Sequence, residues 1–254
     1  MILDIDDAIM FSSDENGFRS RTRLSRYEKM VGLRNHIIVG NSYLKNITCK
    51  ICPHASVTII PTVVDPSLYP VKNHMEKLPV VIGWIGSAST IKYLDLVQNV
   101  LREVIRSHAN VIFRIVSNEF PDWEWAEKKQ WAREQEIQDV LDFDIGIMPL
   151  KDNPWTRGKC GFKLIQYMAA GLPVVASPVG ANNDIVDHGH NGFLAETHSE
   201  WAEALSNLVA SRDLRASFGT HGRKKMENKY SVGSNAPSYL ATITSAAVAG
   251  TDQA

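Results

Sequence analysis

DIGIMPLKDNPWTRGKCGFKLIQYMAAGLPVVASPVGANNDIV, residues 144–186, opens on an apolar run that has the length of a buried strand. A helix-like segment follows it and ends at a glycine, and a second β-branched run covers residues 173–177. A strand, a helix and a second strand in this order are typical of two parallel strands joined by a crossover helix. The run therefore predicts a parallel sheet covered by helices.

The same alternation extends over most of the chain. Four more apolar runs are predicted strands: 36–40, 56–61, 80–86 and 110–117. A polar, Arg-rich segment at 20–32 is predicted to form a helix. The segment at 89–107 is predicted to form one amphipathic helix, because its apolar residues recur every three or four positions. We expect an α/β fold, with a Rossmann-like parallel sheet that has helices on both faces and a partial second Rossmann-like domain.

Three prolines and little apolar periodicity mark residues 66–79 as a linker. We therefore predict a partial Rossmann-like domain on the acceptor side at 1–65 and a ligand-binding domain at 80–230. A C-terminal helix or tail is predicted at 231–254.

Composition excludes several classes of protein. A net charge of −1 over 254 residues gives no global field that would recruit nucleic acid. No apolar run reaches the roughly 20 residues of a membrane span, and the N-terminus lacks the pattern of a signal peptide, so a cytoplasmic protein is expected. Cys49 and Cys52 form a CxxC without a second ligand pair, so no metal site is predicted.

Basic residues and glycines follow the predicted strand at 144–150, where a helix is expected to begin. A helix N-terminus suits an anion, since its backbone N–H groups are free and its dipole end is positive. If the helix begins by Lys159, then Lys159, Lys163 and Gln166 share one face. They would offer two ammonium groups to a diphosphate and an amide to ribose hydroxyls. The alternative is a solvated basic helix start without a ligand.

The run GFKLIQYMAAGLPVVASPVG at 161–180 resembles the donor-site signature of family 4 retaining glycosyltransferases, the group 1 glycosyltransferase domain. Three other segments agree with that family in order: IGWIGSASTIKYL at 82–94, DIGIMPL at 144–150 and NGFLA at 191–195. Earlier segments resemble the later part of the family's N-terminal domain and its interdomain linker: DIDDAI at 4–9, VGNSYL at 39–44 and IIPTVVD at 59–65. The resemblance covers nearly the whole chain.

The resemblance implies a GT-B fold, in which two Rossmann-like domains face each other across a cleft. It implies a hexosyltransferase that retains anomeric configuration and needs neither a bound metal nor a cofactor. The partners would be a nucleoside-diphosphate sugar as donor and a glycan or lipid-linked acceptor. A peripheral membrane contact stays open, and so does a homodimer through an unpaired sheet edge.

The resemblance also assigns residues. The catalytic candidates on the diphosphate are Lys92, Lys159 and Lys163. The donor-binding candidates are Gly86, Ser87, Gly161, Phe162 and Gln166. Asp6 and Asp7 are candidates for the acceptor side.

Two departures from the family pattern leave alternatives open. The family's paired glutamates would fall at Gly158 and Gln166, and a glycine cannot replace a carboxylate at the sugar end. The opening units of the first domain would also lie before residue 1. A truncated, non-catalytic module that binds nucleotide-sugars is therefore the second hypothesis. A dinucleotide-dependent oxidoreductase is the third, although the glycine turn at 83–86 lacks the third glycine of that fingerprint.

Overall fold

A computed structural model describes residues 2–13, 20–75 and 78–251, with the backbone alone for 248–251. The strands are β1 (Ile2–Ile5), β2 (His36–Val39), β3 (Ser56–Ile59), β4 (Val80–Ile85), β5 (Val111–Ser117), β6 (Glu127–Gln130), β7 (Ile145–Met148), β8 (Val174–Ala176) and β9 (Gly192–Leu194). The helices are α1 (Arg21–Gly32), α2 (Ser42–Ile51), α3 (Ala88–Ile91), α4 (Gln98–Ser107), α5 (Glu136–Leu141), α6 (Pro154–Arg157), α7 (Phe162–Ala169), α8 (Asn182–Ile185), α9 (His198–Ala210), α10 (Arg212–Lys229) and α11 (Val232–Thr251). Short 3₁₀ turns lie at Pro66–Leu68, Lys92–Leu96 and Arg133–Gln135.

The strands form two parallel sheets. The first has the order β1-β2-β3, and the second has the order β6-β5-β4-β7-β8-β9. Every strand pair in both sheets is parallel. The α/β fold class predicted from the sequence is confirmed. In the second sheet the order reverses between β4 and β7, and ligands of such sheets bind in the crevice at the carboxyl ends of the strands there.

Both faces of the second sheet are covered by helices. Alternate residues of β4 point to opposite faces, so that Val81 and Ile85 join one apolar cluster while Ile82 and Trp84 join another. The first cluster includes most of α7 and continues into the first sheet, and the second includes α4 and α9. The two sheets therefore share one of the two cores.

The structure differs from the sequence analysis in two local features. The single helix expected at 89–107 is divided into α3, a 3₁₀ turn and α4. The strand β6 was not predicted, because its sequence, EKKQ, shows no apolar alternation. It forms by backbone pairing along the sheet edge and is supported by an ion pair of 2.8 Å between Arg114 Nε and Glu127 Oε2.

The chain crosses between the two sheets twice. The first crossing is the segment around 60–79, in which Lys72 Nζ lies 3.0 Å from the Asp144 carboxylate. The second is the junction of α10 and α11, where Val64 exchanges backbone hydrogen bonds of 3.0 Å with Tyr230 and Val232. After this junction α11 returns to the first sheet, and Tyr239 donates a hydrogen bond to Asp4.

No helix in the described ranges is long and apolar enough to cross a bilayer.

Candidate functional site

A cavity of about 330 Å³ lies at the carboxyl ends of β4 and β5, beside the start of α7. Its lining is Ile85, Gly86, Ser87, Asn118, Trp131, Glu136, Phe162, Lys163 and Gln166. The cavity thus occupies the crevice that the reversal of strand order creates. It contains five of the residues predicted for the donor site: Gly86, Ser87, Phe162, Lys163 and Gln166.

A larger and more open cavity of about 660 Å³ lies elsewhere, between the segment 71–75 and the start of α10. It is near Gly171 and Lys72, at the amino ends of β7 and β8. Ligands of open α/β sheets bind at the opposite ends of the strands. We therefore place the candidate site in the smaller cavity.

The loop before α7 has a fixed geometry. Asn153 caps the short helix α6 through a capping box with Thr156, and Gly161 caps α7 with a φ of 71°. A side chain at Gly161 would be strained at this φ, and its Cβ would overlap Ile185. Because α7 begins at Phe162, Lys159 lies outside the helix, and the condition under which Lys159 and Lys163 would share a helical face is not met.

Among the described residues that line the cavity, Lys163 is the one cation. Its side chain passes over Gly86, where an added Cβ would lie 2.6 Å from both the lysine Cε and the buried ring of Trp84, so that a larger residue would crowd both. The ammonium lies 3.5 Å from Thr90 Oγ1 and 5.5 Å from the ring centre of Trp84. Desolvation by burial, with a smaller contribution from the charge of Lys159, lowers the pKa of Lys163 to about 8.

Lys159 and Lys92 lie around the ring of Trp155 rather than in the cavity. Their ammonium groups are 3.9 Å and 5.9 Å from its centre. Lys159 Nζ is also 3.4 Å from Asp7 Oδ1, and Lys92 donates a hydrogen bond to the backbone oxygen of Ser13. Both lysines therefore connect the second sheet to the chain that follows β1.

Gln166 belongs to a hydrogen-bond network on the cavity wall. Its amide nitrogen donates to Glu136 Oε1 at 2.6 Å and to the hydroxyl of Tyr69 at 3.2 Å. The Trp131 indole donates to the other oxygen of Glu136 at 2.8 Å. Sequence analysis missed Glu136, because no local pattern connects it with α7. For the tryptophans at 123–131 it favoured packing against the sheet and left open an aromatic platform for a sugar or base; of these, Trp131 lines the cavity. Trp123 and Trp125, by contrast, pack against Phe113.

Gly158 and its neighbours contact the first sheet closely. A Cβ at Gly158 would overlap the Cβ of Ala8 and lie 3.0 Å from the Ala8 nitrogen. Asn41, which is buried, donates to the carbonyl oxygens of Gly158 at 3.0 Å and Lys159 at 3.2 Å. Cys160 donates its thiol hydrogen to the backbone oxygen of Asp6 at 2.9 Å. The loop that carries Lys159 is therefore held by both sheets.

The remaining predicted residues are placed as follows. The side chain of Asp6 is exposed, and that of Asp7 pairs with Lys159 at the boundary between the sheets. Ser87 is exposed, and its hydroxyl lies 3.0 Å from that of Ser89. Cys49 and Cys52 are free thiols. No group of three His, Cys, Asp or Glu side chains within the described ranges is arranged to hold a metal ion.

The chain is similar to known glycosyltransferases. Residues 79–211 match the family described as Glycosyl transferases group 1. The D-inositol 3-phosphate glycosyltransferase of Corynebacterium jeikeium is 40% identical over 63 residues, which make up 24% of this chain and 15% of the relative.

Two solved structures show the same fold. TarM of S. aureus, crystallised as a mutant with fondaparinux, alpha-GlcNAc-glycerol and UDP, has a TM-score of 0.77 at 18% identity, over 94% of this chain and 50% of TarM. HepE of Anabaena, crystallised with UDP and glucose, has a TM-score of 0.73 at 16% identity, over 96% of this chain and 71% of HepE. This chain therefore spans half the length of TarM.

These matches confirm the GT-B fold that the resemblance implied. The family match covers just over half of the chain and includes β4, β7, α7 and every residue that lines the candidate cavity. The chain belongs to the group 1 glycosyltransferase family.

Proposed function

We propose that this chain is the donor-binding part of a glycosyltransferase that moves a hexose from a nucleoside-diphosphate sugar to a glycan or lipid-linked acceptor, with retention. The observation that carries the proposal is Lys163, an ammonium group in a cavity at the strand ends. Within the described ranges it forms no ion pair with a carboxylate. A diphosphate in the cavity would supply the missing negative charge.

Lys163 would act on the leaving group. Negative charge develops on the diphosphate as the bond to the sugar breaks, and a fixed cation in a partly desolvated site stabilises that charge strongly. Lys159 and Lys92 lie farther along the same boundary and would add positive potential. The UDP in the TarM and HepE structures supports a nucleoside diphosphate as the ligand.

The ribose would lie against the network of Gln166 and Glu136. Glu136 forms no ion pair within the described ranges, and its carboxylate can accept further hydrogen bonds. Vicinal hydroxyls are donors of the kind that it would bind. The acceptor would approach from the side of Asp6 and Asp7, where the two sheets meet.

Calorimetry with UDP, GDP and ADP tests the proposal. At least one nucleotide is expected to bind the folded chain at micromolar to millimolar concentration. The absence of binding by all three at millimolar concentration, in a sample with an intact thermal transition, would contradict it.

Nucleotide affinity is expected to fall as the pH rises above about 8. Because the pKa of Lys163 is lowered, its ammonium group loses its proton in the free protein above this pH. A bound diphosphate favours the protonated ammonium group. The affinity is expected to drop by up to about tenfold per pH unit, with proton uptake on binding. Calorimetry in buffers of different ionisation enthalpy measures the affinity and the number of protons taken up. In Lys163→Arg the guanidinium stays charged, so the fall in affinity above about pH 8 should vanish. If the variant shows the same pH dependence as the wild type, Lys163 is not its source.

Replacing Glu136 with alanine is expected to weaken UDP binding by about tenfold or more, since a hydrogen bond to a charged group contributes about 1.5–3 kcal/mol. A UDP analogue that lacks both ribose hydroxyls should bind the variant and the wild type equally. Glu134→Ala, at an exposed position in the 3₁₀ turn just before Glu136, is the matched control. Equal losses for UDP and the analogue would show that Glu136 does not contact the ribose.

One observation favours the second candidate, a nucleotide-sugar-binding module without turnover. Gly158 has no room for the glutamate of the family pattern, because Ala8 occupies that space. Release of free sugar from UDP-glucose distinguishes the two functions. Measurable hydrolysis would reject the inert module.

A further inference from the structure

One buried asparagine makes contacts in both sheets. Asn41 lies just after β2, is 5% exposed and is the N-cap of α2. Its Oδ1 accepts a hydrogen bond of 2.9 Å from the backbone nitrogen of Leu44, which is the usual contact of a capping asparagine. The cap uses only the oxygen of the side-chain amide, so the Nδ2 group is left for a second contact.

The Nδ2 group of Asn41 reaches the loop before α7. It donates to the carbonyl oxygens of Gly158 at 3.0 Å and Lys159 at 3.2 Å. These oxygens can only accept, so the amide half that faces them must be the NH₂ group, which has two hydrogens to donate. Bonds to two consecutive carbonyl groups fix both the position and the direction of the loop backbone.

The turn that carries Asn41 lies close against this loop. A Cβ at Gly40 would lie 2.2 Å from Cys160 Sγ. The bond from Asn41 to Gly158 is buried, and a hydrogen bond is electrostatically stronger there than in water. The nearby ion pair of Lys159 contributes less, because its partner, Asp7, has a side chain that is 43% exposed. Asn41 is therefore a strong anchor of the loop on the side of the first sheet.

The anchored loop leads into the candidate donor site. Gly161, two residues after Lys159, caps α7 with its left-handed backbone. Phe162 and Lys163, in the first turn of α7, line the cavity. A shift of the carbonyl groups at 158 and 159 would therefore move the start of α7 and the ammonium group of Lys163.

We propose that Asn41 is a positioning residue of the donor site. From the first sheet it fixes the loop backbone, so that the start of α7 and Lys163 face the diphosphate. Asn41 is outside the set of described residues that line the cavity, so it acts through the loop. This role rests on the proposed function, since the loop affects binding only if a diphosphate occupies the cavity. Affinity for the diphosphate thus depends on contact between the two sheets.

Two substitutions remove the donor group and keep the cap. Asn41→Ser is neutral, and serine caps a helix about as well as asparagine does. Asn41→Asp keeps the size of the side chain and an oxygen for the nitrogen of Leu44, but its carboxylate cannot donate. Ser20→Ala removes the N-cap of α1 over the same sheet and is the matched control. Circular dichroism and the thermal midpoint show which variants are folded.

Titration with UDP and with uridine tests the role of Asn41. Both Asn41 variants are expected to bind UDP about tenfold more weakly, because the displaced ammonium group loses a charge-assisted hydrogen bond to the diphosphate. Uridine has no phosphate and should bind the variants and the wild type equally. Ser20→Ala should bind both ligands as the wild type does. If calorimetry selects another base, its diphosphate and its nucleoside replace this pair.

Hydrogen exchange in the free protein measures the anchor without any ligand. Amide exchange in peptides that cover residues 157–163 is expected to be about tenfold faster in both Asn41 variants, since a lost anchor favours local opening. Exchange in peptides from α2 should stay as in the wild type, because the cap is kept.

Three results would overturn the positioning role: unchanged UDP affinity in the folded variants, an equal loss of affinity for UDP and uridine, or a loss in Asn41→Asp alone, which would indicate repulsion by the new charge. A wild type that binds none of the three nucleotides would contradict the proposed function, and the role in donor binding would fail with it. Faster exchange at 157–163 would then show that the contact itself is real.

Discussion

Replacing Lys163 with alanine is expected to lower kcat/KM for hydrolysis of the nucleotide-sugar by about a hundredfold to a thousandfold, the usual effect of removing one group that stabilises developing charge. The physical reason is its position: the ammonium lines the cavity at the strand ends and has no carboxylate partner within the described ranges. The assay is release of free sugar from the sugar nucleotide that corresponds to the base bound in calorimetry. UDP-glucose is the first to be tried.

The fold should survive this substitution. The lowered pKa of Lys163 means that the folded protein disfavours its charge, so removal of the ammonium relieves an electrostatic cost. The midpoint of thermal unfolding is therefore expected to stay unchanged or to rise. Lys151→Ala, in an exposed position of the same loop, is the matched control and should retain activity. Full activity in Lys163→Ala, with a loss in Lys159→Ala, would place the diphosphate outside the cavity.

Replacing Gly158 with glutamate, which restores the carboxylate of the family pattern, is expected to destabilise the chain by about 1–3 kcal/mol, as overpacking of a closely packed contact does. The new side chain would have to displace Ala8, whose nitrogen and Cα lie 3.0 Å and 3.1 Å from the position of the added Cβ. The expected fall in the thermal midpoint is about 2–4 °C per kcal/mol. Donor hydrolysis should not increase.

A second substitution shows whether Ala8 is the cause. Ala8→Gly removes the methyl group that overlaps the new side chain, so the double variant should regain part of the lost stability. The two positions should therefore couple in a double-mutant cycle. A Gly158→Glu variant with undiminished stability and increased hydrolysis would indicate that the loop and the turn after β1 separate freely.

The alternation of apolar runs predicted the parallel sheet, because buried strands and crossover helices have distinct periodicities. It also predicted that Lys163 and Gln166 lie near the strand end, since a loop after a parallel strand reaches the crevice. The start of α7 could not be predicted in the same way. It depends on the left-handed backbone conformation of Gly161, and the spacing of the lysines does not predict that conformation.

Other features depend on residues far apart in the chain. Glu136 reaches Gln166 across 30 residues, and Gly158 contacts Ala8 across 150, so that neither pair leaves a local pattern. The edge strand β6 forms by backbone pairing, which its charged sequence does not reveal. These long-range contacts required the three-dimensional structure.

The two chain crossings between the sheets restrict how the protein can move. The backbone bonds of Val64 to Tyr230 and Val232 tie the two crossings together at one side of the molecule. A motion that separates the two sheets would therefore have its hinge at this junction and would have to break the ion pair between Lys159 and Asp7.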